Sequence, residues 1–275
     1  MTTGKSVRST AVAGQFYPAG KDEILKMIDH YNTILDEHAD MKKLFSLRSR
    51  AVIVPHAGYI YSGFTANVVL RMLAAQNLKR IAVIGPSHRV YLDGISVADY
   101  ESYETPLGVL NIDKETVKVL ERRFGIHFYP DAHQEHSTEV QMPFIKHYMP
   151  DVSVVELVYG DVAPQELADV IDYLLEDPQT AVVISTDLSH YYDIEKAKRL
   201  DSICLDAIMN LKPSELHQGC EACGKRGVEA MLVSARHKGL RPHILDYRTS
   251  ADASGDRSQV VGYVSVAFTQ EDQDG

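Results

Sequence analysis

AVIVPHAGYIYSGFTANVVLRMLAAQNLKRIAVIGPSH, residues 51–88, decides the fold. Ala51 to Pro55 is a short apolar run, Thr65 to Gln76 is amphipathic, and Ile81 to Ile84 is apolar again. Short apolar runs bounded by turn residues read as buried strands, and the periodic stretch between them reads as a helix. Together they predict a βαβ unit, whose parallel strands join by a right-handed crossover and carry their working loops at their carboxyl ends. The segment after the first strand, AGYIYSG, is expected to be a loop turning on Gly58 and Gly63. Tyr59 and Tyr61 are then either pocket-lining rings or solvent-facing phenols.

The same pattern returns with an apolar run over Val152 to Val158, a helix over Pro164 to Leu175 and a strand over Ala181 to Ser185. Helical periodicity also covers Glu195 to Leu211 and Gly224 to Lys238, and strands are predicted at His243 to Tyr247 and Val260 to Phe268. No Gly/Ser linker, Pro-rich tract or repeat divides the chain. The expectation is one α/β domain over residues 1–269, with a mainly parallel central sheet flanked by helices, and a polar tail over 270–275.

Composition narrows the function. Of 275 residues, 28 are Lys or Arg and 38 are Asp or Glu, a net charge of −10. Broad binding to nucleic acid or to an anionic membrane needs the opposite surplus. No apolar run approaches the roughly 18 residues of a membrane span, and MTTGKSVRST lacks the apolar stretch of a secretory signal. Three cysteines do not make a paired disulfide framework, and the expected setting is the cytoplasm.

His56 follows AVIVP, His88 follows IAVIGPS and His190 follows AVVISTDLS. Three predicted strands thus deliver imidazole to one edge, where residues distant in sequence share a metal or a substrate. A single strand-end histidine is ordinarily a backbone partner; three at equivalent positions are not a requirement of packing. Imidazole suits iron, copper, zinc and nickel, and an open catalytic site commonly uses three protein ligands. The residues alone leave the remaining donor open among Asp187, His190, Glu135, His136 and Cys223. Cys223 precedes a long helical pattern, whose amino end favours thiolate.

Cys220 and Cys223 form a C-x-x-C pair without the second ligand pair of a structural zinc site, and Cys204 in LDSICLDAI reads as helix core. In DLSH, Asp187 and His190 are spaced so that the carboxylate orients the imidazole or both face one cavity, with His190 as an acid/base group. The alternative for Asp187 is a turn cap. His30, His38, His127, His147, His217, His237 and His243 read as surface or partly buried residues. A Walker loop, a G-x-G-x-x-G turn and a G-x-S-x-G elbow are all missing, which disfavours nucleotide-dependent and α/β-hydrolase chemistry.

Several segments then align with a known family: AGQFYP (13–18), PHAGYIYSG (55–63), GPSH (85–88), YETPLG (103–108), EHSTEVQMPF (135–144), DLSH (187–190) and CG at Cys223. In order and over nearly the whole chain, they resemble the Memo family, which is itself similar in fold to class III extradiol dioxygenases. The resemblance implies metal ligands His56, His88 and Cys223, with catalytic His190 and Asp187 beside them and Tyr59, Glu135 and His136 toward substrate. In the dioxygenases, Fe(II) is held by two histidines and a glutamate. Here the glutamate position matches a cysteine, a softer donor that favours copper, zinc or thiolate-tolerant iron. GKRGVEA after the cysteine also departs from the family's usual proline-containing segment.

Two functions follow as expectations. One is an iron- or copper-dependent oxidoreductase or dioxygenase acting with O₂ on a catechol-like small molecule. The other is a non-catalytic metal-binding or peptide-binding adaptor using the same cleft. The resemblance also implies association with a radical SAM protein and an Ammecr-domain protein.

Overall fold

In the computed structural model, which describes residues 7–270, the chain begins with β1 (Val7–Arg8), α1 (Lys21–His38), α2 (Met41–Ser46), β2 (Ser49–Val54) and α3 (Tyr59–Leu73). Strands β3 (Arg80–Pro86), β4 (Ile95–Val97), β5 (Ser102–Thr105) and β6 (Gly108–Asn111) follow, then α4 (Lys114–Phe124), α5 (His136–Glu139) and α6 (Met142–Tyr148). The second half runs β7 (Ser153–Tyr159), α7 (Pro164–Leu174), β8 (Thr180–Ser185), β9 (His190–Tyr192), α8 (Ile194–Met209) and α9 (Lys225–Lys238). It closes with β10 (Leu240–Thr249), α10 (Ala251–Ser254) and β11 (Val260–Gln270). The tail expected over 270–275 lies, from 271 onward, outside the described residues.

The two anticipated βαβ units are β2–α3–β3 and β7–α7–β8. Their strands lie side by side in the order β2-β8-β3-β7, all parallel and buried on both faces, so Val, Ile and Ala follow one another with hardly a polar alternate. The two units run across the sheet in opposite directions, so right-handed crossovers put α3 and α7 on opposite faces. One apolar core, from Val12 to Phe268, joins the layers.

The expectation of a mainly parallel sheet needs correction: the sheet is mixed. Its order is β10-β11-β2-β8-β3-β7-β4, with β4 antiparallel on β7 at one edge and β11 and β10 antiparallel beyond β2 at the other. Strand direction leaves no mark on VVGYVSVAF, because β11 is buried almost throughout, like the parallel strands. A small second sheet, β1-β5-β6, was not anticipated.

Two further expectations change. AGYIYSG is not a loop: α3 already starts at Tyr59, and Gly63 lies inside it. A Cβ on Gly63 would sit 2.6 Å from the Tyr31 hydroxyl, so this glycine serves the close crossing of α1 and α3. Cys204 is not simply helix core but is disulfide-bonded to Cys220, 16 residues on, with their Cα atoms 4.9 Å apart. The turn over Pro213–Gln218 folds the chain back on α8, a tertiary event that cysteine counting does not register. Cys223 is the free cysteine. Among the described residues, no helix is long and apolar enough to cross a membrane.

Candidate metal centre

Because β2, β8 and β3 are neighbours, their carboxyl ends bring His56, Asp187 and His88 to one edge. His136 arrives differently, at the start of the one-turn helix α5, which packs against β3 and β7. Ligand nitrogens of His56, His88 and His136 all lie within 4.8 Å of one another, a spacing at which three imidazoles can share a metal ion.

Each of these rings has its Nδ1 engaged. His56 Nδ1 meets the Ser185 hydroxyl at 3.0 Å, while His88 Nδ1 and His136 Nδ1 meet Glu135 Oε1 at 3.3 and 2.7 Å. Such outer partners fix ring orientation and tautomer and leave Nε2 for a metal. Glu135, expected toward substrate, stands on the Nδ1 side of His88 and His136 and does not line the cavity above them. Nearly fully buried, it caps α5 and accepts from the backbone N–H groups of His88 (2.6 Å) and His136 (2.8 Å). Burial alone would raise its pKa, but hydrogen bonds from His136 and His88 outweigh that and hold it well below the usual carboxylate range.

Cys223 Sγ lies 3.2 Å from His56 Nε2 and accepts from Asp187 N at 3.3 Å. Metal–nitrogen and metal–sulfur bonds of about 2.05 and 2.3 Å at angles of about 90 to 109° put two donors roughly 3.1 to 3.6 Å apart, so the sulfur is spaced as a co-ligand of His56. Gly224 brings the cysteine there. A Cβ on it would fall 2.7 Å from the Thr186 Cβ and 2.9 Å from the Ser185 carbonyl oxygen, so only glycine lets the start of α9 press onto the end of β8. The structure thus groups His56 and His88 of the expected trio with His136 as the set sharing metal-ligand spacing, and places Cys223 beside His56 outside that set.

The protonation states suit ligation unequally. Burial, together with His88 and His136 nearby, holds His56 well below an ordinary histidine. For His88 burial acts downward, yet Cys223 and Glu135 push it up to about 10. Asp187, 4% exposed, is pushed up to about 7 by burial, against the His56 backbone N–H that donates to its Oδ1 at 2.7 Å.

A cavity of about 560 Å³ opens over the three imidazoles and is also lined by Phe16, Tyr61, Asp187, His190, Tyr191 and Tyr263. Tyr59 does not line it: that ring is buried against Phe144 and its hydroxyl donates to the Val140 carbonyl at 2.9 Å. Tyr61 is the tyrosine of this segment that reaches the cavity. His190 enters from the rim on β9, and burial lowers its pKa, which favours the neutral ring. Tyr191, next to it, holds φ at 62°, the left-handed region that non-glycine residues avoid. Asp201 of α8, fully buried, anchors this rim by accepting from Ser189 N at 2.9 Å and from the Tyr247 hydroxyl at 2.7 Å.

Sequence reasoning missed the residues beneath α5. Arg8 pairs with Glu139, and His133 Nδ1 meets Glu156 at 3.0 Å, all four side chains being fully buried. Glu139 also accepts from Val12 N (2.9 Å) and the Tyr17 hydroxyl (2.6 Å), and Thr138 donates to Glu156, so α5 is fastened on both sides of the turn that carries His136. A signal existed in SVVELVY, where one acid interrupts an otherwise apolar strand. Asp201 left a similar one, on the helical face of Ala197, Cys204 and Ile208.

The fold and site define an α/β protein whose sheet edge gathers three histidines able to hold a metal ion. The profile of the Memo-like protein family matches residues 8–267. Proteins named MEMO1 family protein from Aquifex aeolicus and Archaeoglobus fulgidus are 34% and 33% identical to the chain, covering 95% of it and 99% of their own length. One from Thermotoga petrophila is 34% identical over 94% of this chain and 98% of its own. The chain belongs to the Memo family.

Proposed function

We propose that the chain is a non-haem metal-dependent oxidoreductase, using iron or, second, copper, and acting with O₂ on a catechol-like molecule, by likeness to the class III extradiol dioxygenases. The observation that carries this reading is the set of three imidazoles with Nδ1 engaged and Nε2 left for a metal, beneath an aromatic-walled cavity of small-molecule size. His56, His88, His136 and Cys223 are the donors. An iron or copper ion held there would supply one-electron exchange and Lewis acidity. Phe16, Tyr61 and Tyr263 orient a flat ring, neutral His190 takes a proton from its hydroxyl group, and Asp187 holds the His56 backbone in place. Zinc fits the same donors but supplies no electron exchange.

Elemental analysis of protein purified without oxygen, followed by catechol-dependent oxygen uptake, tests the reading. Bound iron or copper with turnover supports it, and the absence of any first-row metal after loading removes it. Tyr61, 41% exposed, and Tyr191, 71% exposed, both in the cavity wall, favour a second reading, in which the cleft captures a peptide or protein partner without turnover. Association with a radical SAM protein and an Ammecr-domain protein belongs to the same proposal and is checked by copurification. So does a cytoplasmic setting: thiol labelling in intact cells that finds Cys204 and Cys220 fully bridged argues against it, since such bridges are rare in a reducing compartment.

A further inference from the structure

A second cavity, of about 550 Å³, meets the same centre. His88 lines both cavities, whereas Cys223 lines this one and not the aromatic one. Its walls are the segment after β3, the turn after β7 and the start of α9. They are clamped together: Ser87 N donates to the Tyr159 carbonyl at 2.8 Å and Asp161 N to the Leu92 carbonyl at 2.7 Å. A Cβ on Gly160 would lie 2.0 Å from the Leu92 carbonyl oxygen, so the two chains touch and the wall keeps its shape.

The two cavities differ in charge. The aromatic one is lined by Asp187 and Asp256 with no Lys or Arg. The second is lined by Arg89, Lys225 and Arg226, with Asp161 as its one carboxylate. In a chain of net charge −10, composition does not account for that surplus. Arg226 and Asp161 pair at 2.5 Å with 45% and 62% of their side chains exposed, so solvent weakens the pair and an incoming anion competes with it. Lys225 Nζ donates to the Cys220 carbonyl at 3.1 Å, a neutral partner that leaves its charge uncompensated. The positive end of the 14-residue α9 adds to the same field.

We propose that this second cavity is an anion port, which holds the carboxylate or phosphate group of a small molecule beside His88 and Cys223, apart from the ring in the aromatic cavity. The proposal does not require the metal, so its failure and that of the metal centre are distinguishable. A metal at His88 adds positive charge to the shared wall, and anion and metal then strengthen each other's binding reciprocally.

Calorimetric titration of chelator-treated protein with inorganic phosphate and, separately, with succinate tests the port and tells the two oxyanions apart. Saturable binding of at least one is expected, weakened about tenfold by Arg89→Gln or Lys225→Gln, the loss of one charge-assisted hydrogen bond. Arg89→Glu, at an exposed position that leaves the core untouched, should abolish it. Lys118→Gln, an exposed cation on α4, should change nothing and so controls for net charge. Failure of both oxyanions to saturate the wild-type protein overturns the port, and so does binding that survives Arg89→Glu.

Discussion

Two histidine clusters lie within a few residues of each other, and they differ in what is left unsatisfied. Beneath α5, His133 uses both ring nitrogens, Nδ1 on Glu156 and Nε2 on the Ser96 hydroxyl at 2.8 Å, and has no solvent exposure. At the sheet edge, His56, His88 and His136 spend Nδ1 on Ser185 or Glu135 and turn their remaining capacity toward one another, Cys223 and a cavity. Histidine next to glutamate thus occurs in both places. The sealed cluster is a packing device whose polar atoms are matched, and the edge cluster is a set of donors short of an acceptor. Burial alone does not separate them, because His56 is 2% exposed. What the second nitrogen meets does: a hydroxyl inside the core for His133, and for His56 the free thiol of Cys223 at a centre that opens to a cavity.

The largest test of that distinction exchanges the expected losses. His88→Ala, His136→Ala and Cys223→Ala should each lower metal content at equal protein concentration. His88→Ala should also cost the metal-free protein less stability than His133→Ala, since the His88 side chain is 30% exposed and Glu135 keeps His136 and two backbone N–H groups as partners. His133→Ala should retain one metal per folded molecule but lose about 3 to 5 kcal/mol, because Glu156 is left buried without its partner. Metal analysis beside urea titration reads both. A His133 variant that folds as stably as wild type but binds no metal would reverse the two roles.

His190 sharpens the comparison from the edge side. It lines the aromatic cavity but is absent from the three-imidazole group, a placement that fits the proposed proton transfer and not ligation. His190→Ala should cut turnover by roughly 10²- to 10⁴-fold, the loss expected for one general acid/base, with metal content near wild type. Oxygen uptake and elemental analysis on the same preparation decide it, and equal activity in variant and wild type removes the acid/base role.

How much of this the sequence carried follows from the range over which each feature is encoded. AVIVP and IAVI announce central strands because burial on both faces removes polar alternation, and His56 and His88 stand one or two residues past those strands, where position along the chain fixes position at the edge. His136 is harder to read: its one-turn helix is too short for periodicity, so its approach to the other imidazoles depends on β3 and β7 packing behind it. Strand direction in β10 and β11, the meeting of Cys204 with Cys220 and the Arg8–Glu139 pair, 131 residues apart, are set by tertiary contacts with no local trace. Tyr59 shows the limit of motif reading. It sits in the most recognisable segment of the chain, yet the helix that begins there turns its ring inward and leaves Tyr61 at the cavity.

The smallest expected effect is a change with pH and concerns the sealed cluster alone. Burial would raise the pKa of Glu156, but His133 and Arg8, with the hydrogen bonds from His133 and Thr138, lower it below its ordinary 4.5. A carboxylate depressed in the folded state contributes stability that is fully present above the unfolded pKa and is lost as pH falls through the folded one. Glu156→Gln keeps the shape and removes the charge. The wild-type advantage over this variant should therefore be constant from neutral pH down to about pH 5, where the unfolded carboxylate begins to titrate, and shrink below that. Urea midpoints at intervals between roughly pH 2.5 and pH 7 measure the gap. If the gap stays constant to the acid end, folding does not shift the pKa of Glu156; if it grows as pH falls from neutral, the folded carboxyl is neutral, and the buried cluster holds α5 by neutral hydrogen bonds instead of by charge.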